Sequence, residues 1–186
     1  MKAHCLTLLL AVCASAAVAQ EKPPSPWRFH SINTMGVISG KSETRFLLQT
    51  INGVRKDHLF LGLGVGMDNY RYSGIPVFID TRFYSSRLPS SFFCYADGGI
   101  HIPLRDKAAK VYDLKYLAGL YTDIGAGYAF ECGRHSAVEI TAGWTYKRVT
   151  TRHSAWVSPV GAPPYQNIDR FINDLTRLVF KAGFRF

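Results

Sequence analysis

The amino-acid sequence predicts an all-β protein: an eight-stranded antiparallel up-and-down transmembrane β-barrel behind a cleaved signal peptide. Three observations predict it. From residue 29 onward apolar and polar residues alternate with a period of two, not the 3.6 of a helix. The polar half of that alternation is rich in glycine and carries nearly balanced charge. The chain opens on an apolar run of export type, and no later stretch offers the eighteen consecutive apolar residues a spanning helix needs. Composition agrees. With 47% hydrophobic and 19% charged residues among 186, the chain is neither disordered nor collagenous, and four cysteines are too few for a disulfide-dense scaffold.

At the N-terminus, Met1-Lys2 precedes the apolar run Cys5 to Ala14, and Ala17-Val18-Ala19 places small residues where a signal peptidase reads them. Cleavage before Gln20 is expected, with residues 1–19 as the signal peptide, 20–28 as a polar periplasmic lead and 29–186 as the barrel domain. The run Leu10-Ala11-Val12-Cys13 is only faintly lipobox-like, because Val12 stands where a small residue belongs. Cleavage removes Lys2 and no acid, so 22 bases become 21 against 13 acids, a net charge of +8. Of the four cysteines, Cys94 and Cys132 remain.

Eight strands follow, over about 29–38, 43–52, 58–70, 76–85, 92–102, 117–130, 137–149 and 175–186. The Asn52-Gly53 pair predicts a hairpin turn after the second. Segments 88–91 and 132–136, rich in Gly, Pro and Ser, predict two more. In the third strand Leu59, Leu61, Leu63, Val65 and Met67 alternate with Phe60, Gly62, Gly64, Gly66 and Asp68. In the fourth, Val77, Ile79 and Phe83 oppose Asp80, Arg82 and Tyr84. In the seventh, Val138, Ile140, Ala142 and Trp144 oppose Glu139, Gly143 and Lys147. The second, fifth and sixth place Arg45, Gln49, Asp97, His101 and Asp123 opposite the apolar set, and the first strand is ambiguous.

Which face is inside decides the environment. In a soluble lipocalin-like barrel the apolar face would be the core. A solvated strand, however, gains more from Thr, Lys or Glu than from Gly62, Gly64, Gly66, Gly99, Gly125, Gly127, Gly143 and Gly183. Glycines suit a narrow interior that must admit large side chains from neighbouring strands. The charges on that face are Asp68, Asp80, Asp97, Asp123 and Glu139 against Arg45, Arg82, Lys147, Arg177, Lys181 and Arg185. Such balance suits a buried ionic network, since an uncompensated buried charge costs several kcal/mol, as an order of magnitude. The expectation is lipid outside and an ionic plug inside.

Topology is consistent with an exported barrel: an even strand number, short turns near 53–57, 86–91 and 131–136, and longer outer loops near 103–116 and 150–174. Trp27, Tyr70, Tyr72, Tyr84, Tyr95, Tyr128, Trp144 and Tyr146 cluster at strand ends, as interfacial belts do.

The chain ends Leu178-x-Phe180-x-Ala182-x-Phe184-x-Phe186, which resembles the β-signal read by the barrel assembly machinery. With Gly62-x-Gly64-x-Gly66-Met67-Asp68, Ile75-Pro76-Val77-Phe78-Ile79-Asp80 and Tyr95-Ala96-Asp97-Gly98-Gly99, nearly the whole mature chain resembles the small eight-stranded bacterial outer-membrane barrels of the OmpA/OmpX-like class. The resemblance implies the outer membrane as location, and periplasmic chaperones and the assembly machinery as partners during biogenesis. It carries over no catalytic residue.

Little chemistry stands out beyond this. Gly62 to Gly66 lacks the helix and spacing of a nucleotide loop. Two cysteines and scattered histidines make no metal site, and no cofactor is expected. Cys94 and Cys132 sit at similar heights, so a disulfide between them is open. A lipid A acylase or deacylase would need a rim nucleophile and base. His153-Ser154 and His101 are the residues to consider, but neighbours on a strand face opposite ways. Basic residues outside the strands, among them Arg105, Lys107, Lys110, Lys115, Arg148 and Arg152, favour lipopolysaccharide phosphates as an outer-surface partner. Nucleic acid is not expected, and the protein is expected to be a monomer. The leading function is a structural or interaction barrel presenting the two longest loops, including the proline-rich stretch Trp156 to Tyr165. The alternatives are a lipid-modifying enzyme and a secreted lipocalin-like ligand binder.

Overall fold

The computed structural model describes residues 26–40, 44–69, 73–88, 90–104, 114–133, 136–157 and 165–186. The expected signal peptide and most of the expected lead lie outside these, as do Tyr70 and Tyr72, the bases at 105, 107 and 110, and the middle of the proline-rich stretch. Nine strands follow one another: β1 Arg28–Ser39, β2 Thr44–Lys56, β3 Leu59–Asp68, β4 Gly74–Tyr84, β5 Ser91–Pro103, β6 Leu114–Leu117, β7 Gly119–Glu131, β8 Ala137–Val157 and β9 Tyr165–Arg185. All pairings are antiparallel. Apart from β6, neighbours in sequence pair in space, β5 pairing with β7, and β1 closes against β9, so eight strands form a ring to which short β6 adds only at the upper part of β8. Closure leaves no open edge along the ring, which is what a strand structure needs in lipid, where an unpaired backbone amide costs several kcal/mol, as an order of magnitude. The last residue takes part: Ser31 N–H donates to the Phe186 carbonyl at 2.9 Å, and Phe186 N–H donates back at 3.0 Å.

The two faces separate cleanly. In β3, Leu61, Leu63, Val65 and Met67 are exposed on the outer wall, Leu63 at 70%, while Phe60, Gly62, Gly64 and Asp68 are buried. In β8 and β9, Ile140, Trp144, Leu178, Phe180 and Phe184 face out, and Glu139, Lys147, Lys181 and Arg185 face in. The lipocalin-like alternative is therefore corrected, because its apolar core would have to be the face that lies outside. The outer wall carries an aromatic cluster near the end that holds the termini: Tyr128 lies edge-on to both Phe92 and Phe130, with ring centroids 4.6 Å apart in each pair. We call that end proximal and the opposite end distal.

The structure moves several expected boundaries. The Asn52-Gly53 turn does not exist. β2 runs on to Lys56, and the reversal is made at Asp57-His58, where Asp57 takes φ 51°. Asp tolerates that left-handed conformation better than most residues. Gly53 serves the strand instead, packing against Gly62 so closely that a Cβ would lie 2.2 Å from the Leu61 carbonyl oxygen. The expected loop at 150–174 is also largely strand. β8 and β9 are 21 residues each and pair from Ala137↔Arg185 through Val157↔Tyr165. Their neighbours stop earlier, β7 at Tyr121↔Lys147 and β1 at Ser39↔Leu178. From Arg148 the pair therefore stands beyond the rim as a ribbon, roughly 30 Å long at about 3.4 Å per residue, with β6 alongside β8 over Thr150–His153.

Candidate functional site

The interior is filled in three tiers. At the distal tier, Lys147 Nζ donates to Asp68 Oδ2 at 2.8 Å, and His101 Nε2 lies 3.4 Å from that ammonium and 3.9 Å from the carboxylate. Gly74 makes the room: a Cβ there would sit 2.2 Å from the His101 ring. Across the same mouth Ile38, Leu47, Leu175 and Val179 pack into an apolar cluster.

The middle tier centres on Lys181. Its ammonium donates to Asp123 at 2.9 Å, stands 3.8 Å from Asp97 and lies 4.3 Å from the centre of the Tyr95 ring. The Tyr95 hydroxyl donates to Asp123 at 2.9 Å, and Gln49 Nε2 donates to the Tyr121 hydroxyl at 3.0 Å. In the proximal tier Arg82 holds Asp80 through Nε and Nη2 at 2.9 to 3.0 Å and reaches Glu139 with Nη1. Arg185 meets the other Glu139 oxygen at 3.0 Å, where the Tyr84 hydroxyl also donates at 3.2 Å. Arg55 stacks 3.9 Å over the Tyr84 ring and donates to the carbonyls of Asp57 and Ser86.

Nine of the eleven residues named as an ionic network are buried here: Asp68, Asp80, Arg82, Asp97, Asp123, Glu139, Lys147, Lys181 and Arg185. Arg45 is exposed at the distal rim, and half-buried Arg177 donates to the Thr176 carbonyl at 3.1 Å. Sequence reasoning missed Arg55. Adding it and setting Arg45 and Arg177 aside gives five buried acids against five buried bases among the described residues. Opposite charges at these separations offset a desolvation cost that none could bear alone. The strand register also aligns Asp80 with Asp97 and Asp97 with Asp123, three carboxylates in a row. The outer two are held by Arg82 and Lys181. Neither Asp97 oxygen accepts a hydrogen bond among the described residues.

Aromatic rings fill the remaining space, and glycines admit them. A Cβ on Gly64 would lie 2.4 Å from the Phe78 ring, and one on Gly143 would lie 2.4 Å from the Tyr95 hydroxyl. Tyr84 and Tyr95, expected in the interfacial belt, are instead interior at 0% and 3% exposure. Their hydroxyls serve buried carboxylates; alternation with Phe83 already places Tyr84 inward, and alternation with Cys94 signals the same for Tyr95. Trp27 and Trp144 do face outward.

The disulfide between Cys94 and Cys132 is not formed; both residues are exposed. Cys94 is opposite Ala126, and Cys132 lies six residues further along the chain, just past the end of β7 at Glu131. Six residues span roughly 20 Å, against a Cα separation below about 7 Å for a bridge. Of the histidines weighed for catalysis, His101 is fully buried and His153 is on the ribbon opposite Asp169. Among the described residues no group of His, Cys, Asp and Glu could hold a metal ion.

The ribbon is the second feature. Arg148 Nε donates to Asp174 at 2.8 Å and Nη2 at 3.2 Å, and the Tyr146 hydroxyl adds a bond of 2.8 Å. The Arg148 guanidinium first, and the Tyr146 hydroxyl second, lower the Asp174 carboxyl below its ordinary value of 3.8. Phe171 and Ile172 are exposed at 58% and 59%.

No protein-family profile matches the chain, and no curated protein does. Solved structures do. The N-terminal β-barrel domain of Pseudomonas aeruginosa OprF is similar over 88% of this chain and 99% of its own, with TM-score 0.53 and 12% identity. The outer membrane protein OprG of the same organism is similar over 84% and 94%, with TM-score 0.43 and 12% identity. The chain thus has the fold of the small eight-stranded outer-membrane β-barrels.

Proposed function

We propose that the chain is exported behind residues 1–19, is inserted in the bacterial outer membrane through the C-terminal pattern Leu178, Phe180, Ala182, Phe184 and Phe186, and works there as a non-enzymatic, non-conducting anchor for surface contacts. One observation carries this reading. The barrel interior is occupied from end to end by ion pairs and aromatic rings, while the β8–β9 ribbon stands clear of the rim. A plugged eight-stranded lumen supports a platform over a pore. The contact-making part is then the ribbon, together with the segment between β5 and β6.

The burial of His101 beside Lys147 and Asp68 supports the non-enzymatic reading. Surface proteolysis of intact cells tests the whole proposal. Trypsin is expected to cut within the ribbon, at Arg152 or Arg170, and to leave a protected barrel that still runs faster unboiled than boiled on a gel. Absence of cleavage until the outer membrane is broken would overturn the orientation. A change in the lipid A profile on replacing His153 by Ala would overturn the non-enzymatic reading.

A further inference from the structure

The ribbon carries a basic row with no counter-ion among the described residues. Register places Lys115 of β6 opposite Arg152 of β8, and Arg152 opposite Arg170 of β9. Directly paired residues share a face, so three cationic side chains stand side by side across three strands, spanning about 10 Å at the usual strand spacing. Like charges directly opposite one another destabilise a sheet. Among the described residues none of the three has a carboxylate partner. Among the described residues, their same-face neighbours two positions away include Thr150, Leu117, Ile168 and Ile172, none of them charged. The nearest acid on that face of the β8–β9 pair is Asp174, already held by Arg148 and Tyr146. Asp169 lies on the other face, opposite His153.

That face is the continuation of the lipid-facing wall. Going up the β8–β9 pair, its successive outward rungs are Trp144–Leu178, Tyr146–Thr176, Arg148–Asp174, Thr150–Ile172 and Arg152–Arg170. The basic row is six residues beyond Tyr146, about 20 Å along a strand and, at a tilt near 40°, about 15 Å above the membrane interface. The phosphate of a simple phospholipid lies at the interface itself. A phosphate carried on an extended saccharide headgroup stands at the height of the row.

We propose that Lys115, Arg152 and Arg170 form a binding site for a phosphate borne on the saccharide headgroup of an outer-leaflet glycolipid. Two guanidinium forks and an ammonium suit a phosphate dianion, and the flanking Leu117, Ile168 and Ile172 suit an amphiphile. The site rests on the outer-membrane reading above and names the partner chemistry of the ribbon.

The test uses the mature chain folded in phosphatidylcholine vesicles containing a few per cent of rough-form lipopolysaccharide with a phosphorylated core. The same lipopolysaccharide with its core dephosphorylated, and phosphatidylglycerol alone, serve as comparisons. Binding is read by co-purification of the glycolipid after extraction in mild detergent. The phosphorylated form is expected to bind at least tenfold better than either comparison. The double substitution Arg152→Gln and Arg170→Gln is expected to abolish that preference, Arg170→Lys to keep most of it, and Arg28→Gln at the proximal end to leave it unchanged. Equal binding of phosphatidylglycerol, full competition by inorganic phosphate at equal concentration, or an unaltered preference in the double variant would each overturn the site. Heat-dependent gel mobility, recorded on the same samples, keeps the two readings apart. A wild-type chain lacking it refutes the barrel, whereas retained mobility with lost preference concerns the row alone.

Discussion

Replacing Arg82 by Met probes the interior most sharply. The guanidinium is 3% exposed and is the hydrogen-bonding partner of Asp80, which is 0% exposed, through bonds of 2.9, 3.0 and 2.9 Å. It also joins Glu139, but that carboxylate keeps Arg185 at 3.0 Å and the Tyr84 hydroxyl at 3.2 Å. Met keeps an unbranched stem and removes the guanidinium, whose Cζ stands 5.7 Å over the Phe60 ring and 5.3 Å over the Phe93 ring. The loss therefore falls on Asp80, a buried carboxylate left without its counter-ion. Breaking one partner out of a buried pair costs about 3–5 kcal/mol, between two and four powers of ten in the folding equilibrium. Urea unfolding of the barrel in lipid vesicles, followed by tryptophan fluorescence and extrapolated linearly, measures it. Adding Asp80→Leu to Arg82→Met is expected to restore at least half of the loss, because the pair is then absent and not broken. A single-variant cost under about 1 kcal/mol would show that water reaches Asp80, and the argument for a dry, plugged lumen would fail.

Three further outcomes follow from the same geometry. Asp97→Asn is expected to cost little or to stabilise in the same assay, since it relieves the middle of a row of three carboxylates whose outer members already hold Arg82 and Lys181; a loss as large as that of Arg82→Met would contradict this. Gly64→Val is expected to cost about 1–3 kcal/mol by driving a side chain into the Phe78 ring, and Phe78→Leu should recover part of it; no coupling in the double-variant cycle would refute the ring-into-glycine packing. The Asp174 carboxyl is lowered in the folded ribbon by Arg148, so its contribution is present above its unfolded value near 3.8 and fades as pH falls through the folded value. Amide exchange in residues 148–174 should therefore quicken only below about pH 4, and Arg148→Gln should remove that dependence.

Much of the barrel was legible because a narrow lumen beside lipid imposes two opposite demands on alternate residues. Leu61, Leu63 and Val65 against Gly62, Gly64 and Asp68 can be read in only one way once the glycines are taken as space for rings. β1 was ambiguous for a physical reason. Its inward positions hold apolar Ile32 and Ile38, and its outward Asn33 accepts a hydrogen bond from Thr50 at 2.7 Å, so neither face is pure. Asn52-Gly53 misled because Gly at that position answers to a close approach of two backbones and not to a turn. Tyr84 reads both as an inward residue, from its alternation, and as a belt residue, from its place at a strand end, because the same residue type serves an interfacial belt or a buried carboxylate. The ribbon was missed because Thr150, Arg152, Arg170 and Ile172 give it no apolar face to alternate. The pairing of Arg152 with Arg170 follows from register, which the residues alone do not state.

Trp144, 60% exposed on the outer wall, tests the central claim most directly. In a chain with Trp27 and Trp156 replaced by Phe, its fluorescence should be quenched strongly by phospholipids brominated along the acyl chain and little by aqueous iodide. Quenching by iodide with none by brominated lipid would place the apolar wall in water or in a cavity, and would contradict a barrel with lipid outside and ion pairs within.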